Sequence, residues 1–273
     1  MVRFVFIAIL CVVLNANDSN NVLQEKIENI LGESVYNRNI NFINRLFSNQ
    51  ASFYKNGALD IYRVILTLQN NGLLQLKFKN PQEFSMVFVA ETSPIFLLRT
   101  INKSLANMGY SYWTTNEASY QENIAKLTIS LTTEHIVDPI ALLNELQKNG
   151  FVSVSVLREA DNKWEYKLLV RDSKLPDSRF ISKGNSISIT EVVGEYWLEL
   201  GSSDGRLYIS TRNNRSFNPV IIFFDKDLNI LEVQNLSKRS NVNIGVVNNT
   251  KFIKIKDSIS SSNINSGINV RFK

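Results

Sequence analysis

The apolar periodicity of this chain changes from helical to strand-like between its two ends. Residues 20–80 carry apolar side chains at helical spacing, as in VLQEKIENIL (22–31), and Gly32 follows that run as a helix stop. After residue 186 the chain shows no helical period, and short alternating runs recur at intervals of about eight to twelve residues. A single-class fold cannot satisfy both patterns. The sequence therefore predicts an α+β protein built from several units.

The first predicted unit, residues 17–80, is mostly helical. Helices are expected at 22–31, 40–47 and 58–71, and a short strand at 73–78. This order resembles a winged helix, but only Arg63 is basic along the third helix, so binding of nucleic acid is not predicted. A docking or capping element is the better interpretation.

The second predicted unit, residues 81–171, has the element order β-α-β-β-α-β with an additional hairpin strand. Two helix starts are well marked, because Ser93-Pro94 and Asp138-Pro139 each place a capping side chain before a proline. The order predicts a ferredoxin-like domain with both helices on one face of a four- or five-stranded antiparallel sheet. The expected elements are 84–91, 94–109, 110–120, 124–133, 139–150, 151–160 and 163–170.

Residues 172–185 are polar and contain proline and glycine, which predicts a linker. Beyond it, residues 186–273 predict an all-β sandwich. The expected strands are 186–190, 195–201, 206–211, 218–225, 228–234, 242–247, 251–257 and 268–272. Within this unit the segments GEYWLELGSSDGRLYIST, FNPVIIFFDKDLNILEV and NTKFIKIKD resemble a pre-peptidase C-terminal domain. The last segment departs from that family's usual Gly-Thr-Tyr entry, so the resemblance implies a sandwich and no activity.

The N-terminus has the layout of a secretory signal peptide. Arg3 precedes an apolar run, Phe4 to Leu14, and a polar stretch begins at Asn15. The run is too short to span a bilayer, which takes about 20 residues, so cleavage after Ala16 and a periplasmic location are expected. No transmembrane segment is expected in the mature chain.

Composition makes several chemistries unfavourable. Cys11 is the only cysteine and lies inside the expected signal peptide, so the mature chain is expected to hold no disulfide and no thiolate site. His135 is the only histidine, which argues against the usual zinc sites. Acidic residues do not cluster as calcium or magnesium ligands do. Neither a metal nor a cofactor is predicted.

The residues that could do acid-base chemistry have simpler interpretations. Asp138, which could orient His135, is better explained as a helix N-cap. Glu195 and Glu199 share one strand face too far apart to form a catalytic dyad. The Asp225-Lys226-Asp227 segment is interpreted as a hairpin turn. No catalytic residue is therefore assigned.

Aromatic side chains provide two candidate binding surfaces. If 110–120 is a strand, one set of its aromatic residues is left uncovered by the helices, and we expect Tyr110, Tyr112 and Trp113 to form a protein interface with Trp113 as its anchor. In the sandwich, Trp197 and Tyr208 are a candidate platform for a carbohydrate.

The net charge of +5 is concentrated in the last segment, where residues 179–273 contain 13 Lys and Arg against 8 Asp and Glu. Such a surface can favour an acidic glycan or a membrane face, or can simply be solvated. The sequence as a whole favours an exported, non-enzymatic scaffold that binds proteins of a bacterial envelope assembly, such as a secretion or motility apparatus. The alternative is a module that binds carbohydrate or peptidoglycan through the sandwich. An accessory protein of a periplasmic hydrolase is a weaker third interpretation.

Overall fold

A computed structural model describes residues 16–273 of the chain, with side chains from residue 21 onward. The expected signal peptide lies almost entirely outside these residues. The N-terminal part forms three helices and a two-stranded hairpin: α1 (Ala16–Leu31), α2 (Glu33–Leu46), β1 (Tyr54–Lys55), β2 (Ala58–Leu59) and α3 (Ile61–Asn70). Across the described residues, every helix is too short or too polar to cross a bilayer.

The boundary expected between residues 80 and 81 falls inside a strand. β3 (Lys77–Glu91) combines the end of the strand expected at 73–78 with the strand expected at 84–91. Pro81 does not break β3, because it lies in the segment 77–82 where the pairing with the next strand of the sheet is irregular. Proline has no amide hydrogen, and at this position none is needed for the ladder. The helices also share one continuous apolar core with the sheet, in which Leu23, Ile27 and Leu68 are fully buried. The first two expected units thus pack as one body.

The middle sheet has five strands in the order β4-β5-β3-β7-β6. The elements after β3 are α4 (Pro94–Asn107), β4 (Thr114–Gln121), β5 (Ile124–His135), α5 (Pro139–Lys148), β6 (Phe151–Ala160) and β7 (Lys163–Val170). The α+β class agrees with the sequence prediction. The fully antiparallel sheet does not, because β7 lies between β3 and β6 and runs parallel to β3.

The burial of β7 explains why it takes the central position. Its inward-facing Trp164 and Tyr166 are fully buried, whereas Val154 on β6 is exposed. Placing β7 beside β3 therefore buries more aromatic surface than placing β6 there would. Both capped helices form as expected: Ser93 accepts a hydrogen bond from the amide of Phe96, and Asp138 accepts from Ile140 and Ala141.

The C-terminal part is a sandwich of two sheets. The five-stranded sheet has the order β13-β12-β15-β10-β8, and the four-stranded sheet has the order β14-β11-β16-β9. The strands are β8 (Arg179–Ile181), β9 (Ser186–Ile189), β10 (Glu195–Leu200), β11 (Arg206–Thr211), β12 (Pro219–Phe224), β13 (Ile230–Asn235), β14 (Asn241–Gly245), β15 (Phe252–Asp257) and β16 (Ile268–Phe272). Each expected strand has a counterpart.

The segment expected as a linker is structured. β8 falls within residues 172–185 and pairs in parallel with β10, and Leu175 is buried in the core that includes the middle sheet. The same core takes in Trp197, Phe224 and Phe252 from the outer face of the five-stranded sheet. The sandwich is therefore packed directly against the rest of the chain.

Candidate functional site

Residues 110–113 are a loop rather than the beginning of a strand. Helix α4 ends in a Schellman motif, in which the amide of Tyr110 donates to the carbonyl of Leu105 and the amide of Gly109 to that of Ala106. Gly109 adopts a φ of +90°, which turns the chain away from the helix axis. The strand begins only at Thr114, so the alternation that we expected to expose one aromatic set does not apply to these residues.

The three aromatic residues of this loop have different environments. Trp113 is half-buried, packs against the core and donates its indole N–H to Oδ1 of Asn102 on α4 at 2.9 Å. Tyr110 also packs against the core, and burial raises its pKa, with a smaller contribution from the charge of Asp138. Tyr112 is 81% exposed. The structure brings Tyr110 and Trp113 to the core and leaves only Tyr112 fully available to a partner.

The face of the middle sheet that the helices leave open is mixed: most of its exposed side chains are polar, but Ile124 on β5 and Leu169 on β7 are apolar and exposed. Lys126 on β5 and Lys167 on β7 are exposed on this face. Nζ of Lys167 lies 3.6 Å from Oε1 of Glu165 on the same strand. Ser85 and Ser130 share a hydrogen bond of 2.7 Å, and Asn116 donates to Ser130 at 2.8 Å. Such a face is stable in water without a covering partner. Its exposed apolar side chains, Ile124 and Leu169, are not the aromatic residues from which we expected an interface.

Trp197 is a packing residue at the contact between the sandwich and α4. It is 8% exposed, its ring centroid lies 5.1 Å from that of Phe224, and the guanidinium carbon of Arg99 lies 4.6 Å from it. Its indole N–H donates to Oε1 of Glu195 at 3.2 Å. A side chain held in this way cannot stack on a sugar ring. The assignment of Trp197 to a carbohydrate platform was wrong, because the neighbouring helix covers it.

Charged groups complete this junction. Burial lowers the pKa of Arg99, and the carboxylates of Glu195 and Asp177 oppose that effect. Burial also disfavours the charged form of Glu195, but Nζ of Lys254 lies 2.6 Å away, and that ion pair leaves the pKa of Glu195 below its ordinary value. Glu199 pairs with Lys251 at 2.8 Å. The two glutamates expected to be poor catalytic partners are thus held in separate ion pairs.

Tyr208 lies on the opposite side of the sandwich from Trp197. On β11 the neighbouring residues Leu207 and Ile209 point into the sandwich core, so Tyr208 points outward from the four-stranded sheet. Trp197 points outward from the five-stranded sheet. Because two packed sheets have their outer faces directed away from each other, the two side chains cannot contact one ligand ring system. The structure corrects the expected pairing and leaves Tyr208 as the outward aromatic of the four-stranded sheet.

Around Tyr208 the outer face of the four-stranded sheet is made of polar side chains, and we call it the polar face. Burial alternates strictly along its four strands, which defines the outward set. These residues are Ser186, Ser188, Arg206, Tyr208, Ser210, Asn241, Asn243, Gly245, Asn269 and Arg271. All of them except Arg206 and Gly245 line an open groove of about 580 Å³, together with the intervening apolar residues Ile187, Ile209, Val242 and Val270.

A surface that the sequence interpretation missed lies on β13, the edge strand of the five-stranded sheet. Ile230 is 59% exposed and Val233 is 45% exposed, and Leu231 at the adjoining bulge is also exposed. We call these three residues the β13 strip. The consecutive apolar pair in the run ILEV, which departs from clean alternation, was the available signal for it.

The remaining polar candidates have structural roles. Asp138 caps α5 and also accepts a hydrogen bond from Nε2 of Gln69 at 2.9 Å, while His135 is exposed at the end of β5. Asp225 accepts from the amides of Asp227 and Asn229 at 2.9 Å each, which is a hairpin turn closed by a carboxylate. Among the described residues, no group of three or more His, Cys, Asp and Glu side chains is arranged to hold a metal ion.

Comparison with known proteins finds weak likenesses among solved structures. No protein-family model matches the chain. No curated protein matches it either. Among solved structures, the chain is similar to the pre-peptidase C-terminal domain of a collagenase from Bacillus anthracis, with 7% identity and a TM-score of 0.26 over 37% of this chain and 100% of that domain. It is also similar to the secreted serine protease VesC from Vibrio cholerae, with 8% identity and a TM-score of 0.19 over 71% of this chain and 44% of the protease. The first of these is the type of domain that the sequence weakly resembles.

Proposed function

We propose that this chain is an exported, non-enzymatic interaction protein that docks onto a larger assembly of the bacterial envelope through the β13 strip. The single observation that carries the proposal is the exposure of Ile230, Leu231 and Val233 on one edge strand. Exposed apolar residues that cluster in this way are typical of protein contacts.

The backbone of β13 supports docking by addition of a strand. The amide of Leu236 donates to the carbonyl of Pro219 on β12 at 2.9 Å. Because amides along a strand alternate in direction, those of Val233 and Asn235 point to the free edge. An extended segment of a partner can therefore form main-chain hydrogen bonds there while its side chains contact the β13 strip.

The way in which the units are joined also supports a scaffold. One continuous core runs from the N-terminal helices through the middle sheet to the outer face of the five-stranded sheet. A partner that binds at β13 is then held at a fixed orientation relative to the helical end, which is what a scaffold requires. The ferredoxin-like description of the middle unit belongs to this proposal, with β7 as an insertion between the usual neighbours.

Export is the second part of the proposal, and it depends on the signal-peptide pattern at residues 1–16. Among the side chains of α1 that the structure describes, Leu23, Ile27 and Ile30 are fully buried, and all three lie after the expected cleavage site.

The test replaces one valine of the β13 strip and one exposed valine elsewhere with aspartate. We expect Val233→Asp to prevent complementation of a deletion strain and to release the protein from the isolated envelope assembly, because a charge cannot be buried against an apolar partner. Val192→Asp, at a loop residue that is more exposed, is the matched control and should behave as wild type. N-terminal sequencing of the wild-type protein from the same preparation should begin at Asn17. Full complementation and retention of Val233→Asp would refute docking at this edge.

A further inference from the structure

The polar face differs from the rest of the protein surface in its charge. Its outward set contains Arg206 and Arg271, and none of the outward side chains of these four fully described strands is Asp or Glu. Lys273, at the end of β16, adds a third cation and lies with Nζ 5.1 Å from the centroid of the Tyr208 ring. On the outer face of the five-stranded sheet, in contrast, Lys251 and Lys254 are paired with Glu199 and Glu195.

Arg206 and Arg271 form no ion pair among the described residues. Arg206 donates through Nε to the amide oxygen of Asn243 at 2.9 Å, which leaves its terminal nitrogens directed elsewhere. Arg271 is exposed, and no side-chain partner is present for it among the described residues. A guanidinium with free donors binds a carboxylate through two parallel hydrogen bonds, and it is the side chain best suited to do so.

The register of the strands arranges these groups in a row. Arg271 is directly opposite Ser186 on one side and Tyr208 on the other, and Tyr208 is opposite Asn243. With a strand spacing of about 4.8 Å, the four side chains extend across about 14 Å of the sheet. A second row of hydroxyl and amide groups runs beside it, in which Ser188 donates to Oδ1 of Asn269 at 2.8 Å.

We infer that the polar face is a binding site for an acidic polysaccharide, that is, a glycan chain that carries carboxylate groups. Serine and asparagine side chains both donate and accept hydrogen bonds, which matches sugar hydroxyls. Arg271 and Arg206 contact the carboxylates, and the ring of Tyr208 packs against the apolar face of one sugar unit. The site lies on the sheet opposite to the β13 strip and does not depend on docking there.

The chemistry of the face distinguishes this occupant from other anions. Single-stranded nucleic acid is held by several stacking aromatics, whereas the polar face offers one. A membrane surface is bound by cations combined with apolar side chains that insert, and the outward set contains no aliphatic side chain. A surface rich in hydroxyl and amide groups with a few cations fits a polyhydroxylated chain of low charge density.

The test measures binding of the full mature chain to polygalacturonate, with dextran as the neutral polysaccharide and oligo(dT) as the competing polyanion. We expect saturable binding of polygalacturonate that weakens when NaCl is raised from about 20 to about 200 mM, and negligible binding of the other two. Arg271→Gln should weaken binding about tenfold or more, and Arg271→Lys should restore only part of it, because lysine lacks the bidentate geometry. Tyr208→Ala should weaken binding about fivefold.

Two matched variants control for charge and for loss of a ring. Arg179→Gln removes the same charge from an exposed position on the other sheet, and Tyr112→Ala removes an exposed tyrosine from the middle unit. Both should bind polygalacturonate as wild type does. Absence of polygalacturonate binding would overturn the inference, as would equal binding of dextran, preferential binding of oligo(dT), or equal losses in the variants and their controls. Unchanged thermal unfolding of Arg271→Gln and Tyr208→Ala excludes misfolding as the cause of a loss.

Discussion

The two outer faces of the sandwich contrast sharply, although the strands that form them alternate in the same way. On the five-stranded sheet the outward Trp197, Phe224 and Phe252 are buried against the rest of the chain. On the four-stranded sheet the outward positions are serine, asparagine, arginine, one glycine and one tyrosine, and they remain in contact with water. An outward aromatic residue on a strand can therefore belong to a packed face or to an exposed one. Whether another part of the chain covers that face decides between the two.

The residues around Trp197 and Tyr208 explain why one face packs and the other stays exposed. Trp197 is flanked by Glu195 and Glu199, each paired with a lysine of β15 or its preceding turn, so charges surround an apolar centre. Tyr208 is flanked across the sheet by Arg271 and Asn243. The surroundings of Trp197, an apolar centre with a charged rim, are typical of a protein interface. The surroundings of Tyr208, one aromatic ring among polar side chains, are typical of a groove that binds a polar ligand.

The largest expected effect concerns Trp197. Trp197→Ala should lower the free energy of unfolding by about 3 kcal/mol, because it removes a buried ring and leaves a cavity beside Arg99 and Phe224. Urea unfolding followed by circular dichroism measures the change. Trp197→Phe, which keeps an aromatic ring, should lose clearly less. If Trp197→Ala unfolded at the wild-type urea concentration, the contact with α4 would contribute nothing and the contrast between the faces would fail.

A second prediction uses pH to examine the same junction. The pKa of Glu195 is lowered in the folded protein by its ion pair with Lys254, against the opposing effect of burial. The ion pair between Glu195 and Lys254 therefore stabilises the folded protein fully at pH values above 4.5, the ordinary pKa of a glutamate. This contribution to the free energy of unfolding is lost as the pH falls through the lower pKa that Glu195 has in the folded protein. Wild type should be more stable than Glu195→Gln at pH 7, and the difference should shrink as the pH falls below 4.5 and through the lowered folded pKa. A difference that grew toward low pH would contradict this sign.

The smallest expected effect is on the polar face. Tyr208→Ala should change the free energy of unfolding by less than about 1 kcal/mol, because its ring is half-exposed and its contact with Lys273 is at the surface. The same urea titration as for Trp197→Ala makes the comparison direct. A loss as large as that of Trp197→Ala would show that Tyr208 is a packing residue, and the polar face would then need another anchor.

Much of the local structure could be predicted from the sequence. The eight expected sandwich strands have counterparts, and both helices of the middle unit begin at the expected caps, Ser93 and Asp138. These features depend on interactions between residues a few positions apart, such as a capping side chain and the amide that it accepts from. The same locality explains why Asp225 was correctly interpreted as a turn residue.

The exact place where a helix ends was harder to predict. The Schellman motif at Gly109 returns the chain toward α4, and Trp113 then forms a hydrogen bond with Asn102 instead of entering the strand. A glycine after a helix is readable as a stop, but the path of the following residues depends on whether a side chain finds a partner on the helix that has just ended.

Local patterns in the sequence were enough to predict a helical start and an all-β end of the chain, the two helix starts at Ser93 and Asp138, and the sandwich strands, because hydrophobic alternation and capping act over a few residues. They did not predict that α2 begins at Glu33 instead of residue 40 or that α3 begins at Ile61 after a short hairpin. Three features depend on packing between distant segments: β7 lies between β3 and β6, β8 joins the five-stranded sheet, and Arg99 covers Trp197 while Tyr208 stays accessible. Those outcomes depend on contacts between residues roughly 20 to 100 positions apart, whose free energies compete over the whole fold. For that reason two aromatic residues that look equivalent in the sequence have opposite roles in the protein.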